Sequence, residues 1–297
     1  MVKTATMLKK LLFALTLFTY SLAAFGQNAD SLTFIKTKWH KNRIARQVVL
    51  FQHHFDQKNL FDANENISFL EIKNTGRKAV FAIGAEEKEL ITTSNFGLRD
   101  TAIAAVNGNF FDVKNGGSVD FVRVNGKTIN ANRLDKNGNR ARHQEAAVVI
   151  VNGKVSIKKW DGTSDWETKL TAQNVLLNGP LLTLNDIDEK LDTTGFSRLR
   201  HPRTCLGIKP NGRVILLTVD GRNENSAGMS LFELTKLMRW LGCTSALNFD
   251  GGGSTTLWVN GMPENGVVNY PTDNKKWDHE GQRKVANVIL VKKQSRK

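Results

Sequence analysis

Three Asn-Gly dipeptides flanked by apolar residues constrain this chain more than any other feature. They are Val124-Asn125-Gly126-Lys127, Val151-Asn152-Gly153-Lys154 and Val259-Asn260-Gly261-Met262. Asn and Gly tolerate the two positive φ angles of a type I′ turn, whose twist matches that of two antiparallel strands. Other runs read as strands by their β-branched and apolar content: 47–51, 67–72, 79–83 and 101–106. The turn Asn74-Thr75-Gly76 joins the second and third of these. Toward the C-terminus, 203–209, the turn Pro210-Asn211-Gly212 and 213–219 read as a hairpin, and 284–291 as a closing strand. One helix is marked clearly. Ser230 and Glu233 form a capping box, Leu231, Leu234, Leu237, Met238 and Leu241 share a face, and Gly242 is the expected stop. A short helix or turn fits 92–98. The fold class that follows is α+β or mixed α/β, with a predominantly β-sheet core rich in hairpins and a few packed helices. Strand order is not deducible from these patterns.

The first 26 residues read differently. Lys3, Lys9 and Lys10 precede the apolar run 11–25, and small residues sit at Ala24 and Gly26, the layout of a secretory signal. The expectation is cleavage after Gly26, residues 27–90 as N-terminal strands or a small accessory subdomain, and one catalytic-type domain over 91–293. No later run is apolar enough to span a membrane, so no integral span is expected after cleavage, and the location is periplasmic or extracellular. The formal net charge is +14, and removal of the three leader lysines leaves 14 − 3 = +11. Outside the cytoplasm such a surface suits anionic glycans or phosphodiesters. No basic and aromatic interleaving of the kind used by single-strand binders is present, so nucleic acid is not an expected partner. The two cysteines, Cys205 and Cys243, could be bridged or free.

The chemistry concentrates in Asn248-Phe249-Asp250-Gly251-Gly252-Gly253-Ser254-Thr255-Thr256. Three consecutive glycines cost the most backbone entropy, which suggests a tight curl whose N–H groups form an anion-binding nest. A second strand ends alike, in Val219-Asp220-Gly221-Arg222. If the two strands are neighbours with the helix as crossover, Asp220 and Asp250 lie at one sheet edge and can act as acid and nucleophile or base. Arg203, after His201-Pro202, and Arg283 each begin a strand, where a guanidinium can clamp a phosphate. His201 can donate a proton or bind phosphate. Asn107 and Asn109 flank Gly108, and their amides can hold sugar hydroxyls, while Phe110 or Phe111 can stack on a sugar face.

Together the blocks 107–111, 201–207, 219–222, 228–231 and 248–256 resemble the phosphodiester glycosidase family over roughly residues 90–292. Asn269-Tyr270-Pro271 fits the family's late Asn-X-Pro element, whereas Cys205 stands where a small apolar residue is more usual. The resemblance implies hydrolysis between a sugar anomeric carbon, such as that of N-acetylglucosamine, and a phosphodiester oxygen in a phosphoglycan. It implies Asp220, Asp250 and His201 as catalytic groups. It implies substrate binding by Asn107, Gly108, Phe110, Arg203, Thr204, Arg222, Gly251, Gly252, Gly253, Ser254, Thr255 and Arg283. It implies no cofactor, with a divalent metal left open. Two rivals remain: a metal-dependent phosphodiesterase using Asp220, Asp250 and His201, and a non-catalytic binder of anionic polysaccharide. Sugar, aglycone, stereochemistry and oligomeric state are left open.

Overall fold

The computed structural model describes residues 29–294. The expected leader, 1–26, and the last three residues of the basic tail lie outside the described residues. Helix α1 (29–36) precedes β1 (His40–Ala45), β2 (Val48–Leu60), β3 (Ala63–Lys73) and β4 (Ala79–Ala85). Next come α2 (Thr93–Arg99), β5 (Ala102–Asn107), β6 (Val122–Val124), β7 (Lys127–Asn130), β8 (Ala146–Val151) and β9 (Lys154–Lys159). The chain continues through α3 (Trp166–Lys169), β10 (Asn174–Asn178), β11 (Leu181–Leu184), β12 (Ile187–Asp188) and α4 (Gly195–Arg198). It ends with β13 (Arg203–Ile208), β14 (Arg213–Val219), α5 (Leu231–Trp240), β15 (Ser245–Asn248), β16 (Leu257–Val259) and β17 (Asn287–Lys293).

These strands form three sheets, ordered β1-β2-β3-β14-β13-β15-β11-β12, β7-β6-β10-β8-β9 and β16-β5-β17-β4. Alternation along each strand decides what lies between them. In β14, Leu216 points into a central core shared by all three sheets, with Leu70, Val148, Leu176 and Ile289. Its neighbour Leu217 points to the opposite face, where Phe34 of α1 and Leu234, Leu237 and Met238 of α5 cover the large sheet. The outer face of the four-stranded sheet packs on Phe96 of α2, and that of the five-stranded sheet on Trp166 of α3. The central strands are therefore covered on both faces and read as nearly continuous apolar stretches, whereas the edge strands β1, β7 and β12 are largely exposed.

The local signals formed as read in several places. Ser230 Oγ accepts the Glu233 N–H at 3.2 Å while Glu233 Oε2 accepts the Ser230 N–H at 2.8 Å. Asn125-Gly126 and Asn152-Gly153 have positive φ at both positions and close the β6–β7 and β8–β9 hairpins. Two expectations are corrected. At 260–261 only Gly261 has positive φ, and Trp258 instead pairs Val267 across a wider loop. Asn74-Thr75-Gly76 does not close a hairpin: β3 and β4 enter different sheets. The Asn74 side chain is drawn off to bond both the N–H and the C=O of Val155. Of the two forms expected for 27–90, strands or a small accessory subdomain, the described part 29–90 holds strands. β1–β3 extend the large sheet beyond β14, and β4 pairs β17 along its whole length. Cys205 and Cys243 are buried free thiols.

Candidate functional site

β14 and β15 are not neighbours, as the sequence suggested; β13 lies between them, antiparallel to both. That makes β14 and β15 parallel, so the α5 crossover still brings both strand ends to one edge. Arg203, opposite Val219, opens the intervening strand at that edge. The Phe249 N–H reaches Thr204 O at 2.9 Å and the Gly252 N–H reaches Pro202 O at 2.9 Å. The glycine block is thus stitched onto the start of β13.

A pocket of about 200 Å³ opens there, lined by Phe196, His201, Arg203, Arg222, Asp250, the three glycines and Arg283. Most of the expected site residues therefore come together. Burial raises the Asp250 carboxyl to about 6, against the opposing pull of the Gly251 N–H (2.9 Å) and Arg283. Asp120 adds to the rise. Burial also lowers Arg203, to about 10, leaving it cationic at neutral pH. Its Nε donates to Met229 O at 2.8 Å, and its Nη2 to Phe196 O at 2.6 Å and Leu199 O at 3.1 Å. Nη1 has no hydrogen-bond partner among the described residues. Arg222, exposed and with φ of +61°, makes no side-chain hydrogen bond among the described residues. Arg283 is paired with Asp273 at 2.5 Å. Burial, with Arg203 and Arg222 nearby, lowers the pKa of His201, so its imidazole is neutral at pH 7.

The glycines are required sterically. Gly252 has φ of +61°, and a Cβ there would sit 3.1 Å from Arg222 Nη2. A Cβ on Gly253 would lie 2.5 Å from Asp273 Oδ1 and 2.7 Å from Arg283 Nη2. The open nest expected of all three amides is corrected. The Gly251 N–H is bonded to Asp250 Oδ1 and the Gly252 N–H to Pro202 O, so only the Gly253 N–H remains without a partner.

Other expected residues stand behind the pocket rather than in it. Asp220 is buried with a carboxyl raised by desolvation. Its Oδ2 accepts from Asn66 Nδ2 (2.8 Å), and its Oδ1 accepts from Asn269 Nδ2 (2.7 Å) and the Tyr270 N–H (3.0 Å). Those bonds make it a brace between β3 and the 269–270 segment, outside the pocket lining. Asn107 also stands behind the pocket: it is fully buried, and its amide is bonded inside the protein. Nδ2 donates to Asp250 O at 2.7 Å, while Oδ1 accepts from Thr204 Oγ1 at 2.7 Å and the Thr256 N–H at 3.1 Å. Thr204 is thereby committed as well. Gly108 O accepts the Asp250 N–H at 3.1 Å, and a Cβ at Gly108 would fall 2.0 Å from Asn287 Oδ1. Ser254 and Thr255 are buried under the turn. Phe110 does not line the pocket; it packs at 6.0 Å from Phe196, which does.

No sequence pattern points to Asp120 and His143. Asp120 is buried and receives His143 Nδ1 at 3.0 Å and Gln144 Nε2 at 2.9 Å. His143 stacks obliquely on Phe110, with centroids 4.6 Å apart. Neither residue sits in a motif, and only the packing of β6 and the 142–144 turn brings them near Asp250. Phe196, on the four-residue α4, was equally silent. Among the described residues, no three His, Cys, Asp or Glu side chains gather so as to hold a metal ion.

A profile of the phosphodiester glycosidase family matches residues 100–292. The mouse N-acetylglucosamine-1-phosphodiester alpha-N-acetylglucosaminidase is 26% identical over 220 residues, covering 70% of this chain and 41% of that protein. The chain thus spans about two fifths of that relative's length. Among solved structures, the catalytic domain of the zebrafish enzyme of that name, auto-inhibited by its pro-peptide, superposes with a TM-score of 0.64. It is 17% identical, over 86% of this chain and 88% of that one. A hypothetical protein from Synechocystis gives a TM-score of 0.64 at 13% identity, over 87% and 64% of the two chains. The last two establish a shared fold.

Proposed function

The chain belongs to the phosphodiester glycosidase family, and from that premise we propose that it hydrolyses the bond between a sugar anomeric carbon and a phosphodiester oxygen. The observation that carries this reading is the pocket itself: one accessible carboxyl, Asp250, among Arg203, Arg222 and Arg283. The cationic side takes the phosphate, with Arg203 Nη1, Arg222 and the Gly253 N–H as donors. As the anomeric C–O bond breaks, the phosphate gains charge and these groups stabilise it in place. Asp250, ionised above about pH 6, faces the developing oxocarbenium centre, either attacking it or taking a proton from the water that does. A phosphate leaves readily without full protonation, which fits a pocket lined by one carboxyl rather than two. Neutral His201 offers a hydrogen bond to the sugar, and Phe196 an apolar ring. The mouse relative's name supports N-acetylglucosamine as the sugar to try first. The leader pattern of residues 1–26 supports a phosphoglycan outside the cytoplasm as the natural substrate.

The test uses the methyl phosphodiester of N-acetylglucosamine 1-phosphate, with wild type and Asp250→Ala, with and without a chelator. Free N-acetylglucosamine from wild type alone, undiminished by chelation, is the expected product. Sugar 1-phosphate formed only with metal would replace this reading with cleavage on the phosphorus side.

A further inference from the structure

The far end of the large sheet carries a second and larger concavity, of about 480 Å³. Four cations line it, Arg46, Arg77, Lys78 and Lys154, together with Gln47 and Thr75. No acidic residue lines it, and among the described residues none of the four cationic side chains makes a hydrogen bond or ion pair. Some cations elsewhere are paired within the protein. Lys209 and Arg213 share Glu71, Arg239 holds Asp186 and Asp188, and Lys159 holds Glu189. Gathering four unpaired positive charges is unfavourable for folding alone, and a bound anion relieves it.

The base beneath them is rigid. Three connections meet there: the β1–β2 turn, the β3–β4 link and the β8–β9 turn. The Lys73 N–H donates to Gln47 O at 3.0 Å, and Thr75 Oγ1 to Gln47 Oε1 at 3.3 Å. Asn74 holds Val155 through two bonds of 2.8 Å. Gly76 passes so close to the neighbouring turn that a Cβ would lie 2.3 Å from Asn152 O. The cations thus project from three clamped turns rather than from a loose loop.

We propose that this concavity binds a phosphate-bearing glycan chain, holding a polymer well away from the point at which it is cut. Guanidinium groups suit phosphate, and Gln47 and Thr75 suit sugar hydroxyls. No aromatic ring lines the site, so the base-stacking platform of a single-stranded nucleic-acid binder is missing. Lys73, beside it, pairs Arg213 at the start of β14, whereas Asp220 follows that strand's end. Seven residues of strand put about 20 Å between the two sites at roughly 3.3 Å per residue. The identity of the polymer rests on the function proposed above; the binding of a polyanion does not.

The probe is a poly(glycerol phosphate) oligomer carrying N-acetylglucosamine, titrated by fluorescence anisotropy at several salt concentrations. An oligothymidylate of equal charge and a neutral dextran run beside it. Arg46→Gln/Arg77→Gln is expected to weaken glycan binding by about tenfold or more and to flatten its salt dependence. Hydrolysis of the small methyl diester by that variant stays at the wild-type rate. Unchanged glycan affinity in the double variant overturns the proposal, as does tighter binding of oligothymidylate than of the glycan. Asp250→Asn binds the polymer as wild type does. A protein that cleaves no diester, yet loses the polymer on Arg46→Gln/Arg77→Gln, refutes the proposed hydrolysis and upholds this site.

Discussion

Replacing Asp250 by Asn separates what the residue costs from what it does. Burial raises its pKa from 3.8 to about 6. A raised carboxyl pKa means that the folded state binds the proton more tightly than the unfolded chain. Stability is therefore highest below pH 4, falls as pH rises from about 4 to 6, and stays reduced above 6. At about 1.4 kcal/mol for each tenfold change in proton affinity, the loss is about 3 kcal/mol at pH 7.5. Asn carries no charge, and its Oδ1 can still accept the Gly251 N–H, so Asp250→Asn recovers most of that loss. The expected gain is about 2 kcal/mol at pH 7.5, or roughly 4–8 °C in Tm for a domain of this size. Urea unfolding of both proteins at pH 4, 5, 6 and 7.5 checks this, with the difference vanishing toward pH 4. Activity runs the other way. Hydrolysis by wild type rises with a midpoint near pH 6, as the carboxylate forms, and the variant is inactive throughout. A variant no more stable than wild type at pH 7.5, or a stability gap independent of pH, would refute the claim that Asp250 is held ionised at a cost.

Two other substitutions probe the assignments around it. Asp220→Ala orphans donors on Asn66, Asn269 and Tyr270, and is expected to cost about 2–4 kcal/mol in urea unfolding. Activity per folded molecule should survive, and a well-folded but inactive Asp220→Ala would return Asp220 to the chemistry. Gly252→Ala forces a Cβ into positive φ beside Arg222; we expect about 1 kcal/mol of destabilisation and a raised KM for the diester. An unchanged KM would mean that Arg222 does not meet the phosphate.

Much of the fold could be read along the chain because its signals are local. Ser230 and Glu233 cap α5 by bonds within one turn, and Asn125-Gly126 and Asn152-Gly153 carry their own backbone preferences. Long-range geometry could not be read this way. Nothing near Asn74 announces that its amide binds Val155, so a connection between sheets looked like a hairpin. The site divides along the same line. The glycine block and Arg203 stood out because close backbone approach and a strand-opening cation leave compositional traces. Asp120 and His143 carry none, since a buried carboxyl matters only through what folds around it. Asp220 and Asn107 show the converse. Their residue types suit catalysis and sugar binding, but burial spent their polar atoms on the protein's own backbone and amides.

The Asn107 amide ties the end of β5 to Thr204, Thr256 and the Asp250 carbonyl, so Asp250 is anchored from behind by the core. The pocket's outer wall comes from elsewhere: Phe196 on a four-residue helix, Arg222 in a turn, and Arg283 leaning on Asp273. An architecture with a fixed floor and separately supplied walls lets those walls lengthen, shorten or exchange residues while Asp250 keeps its position. Changing which sugars and aglycones enter then becomes a matter of loop replacement, within reach of grafting experiments that leave all three sheets untouched.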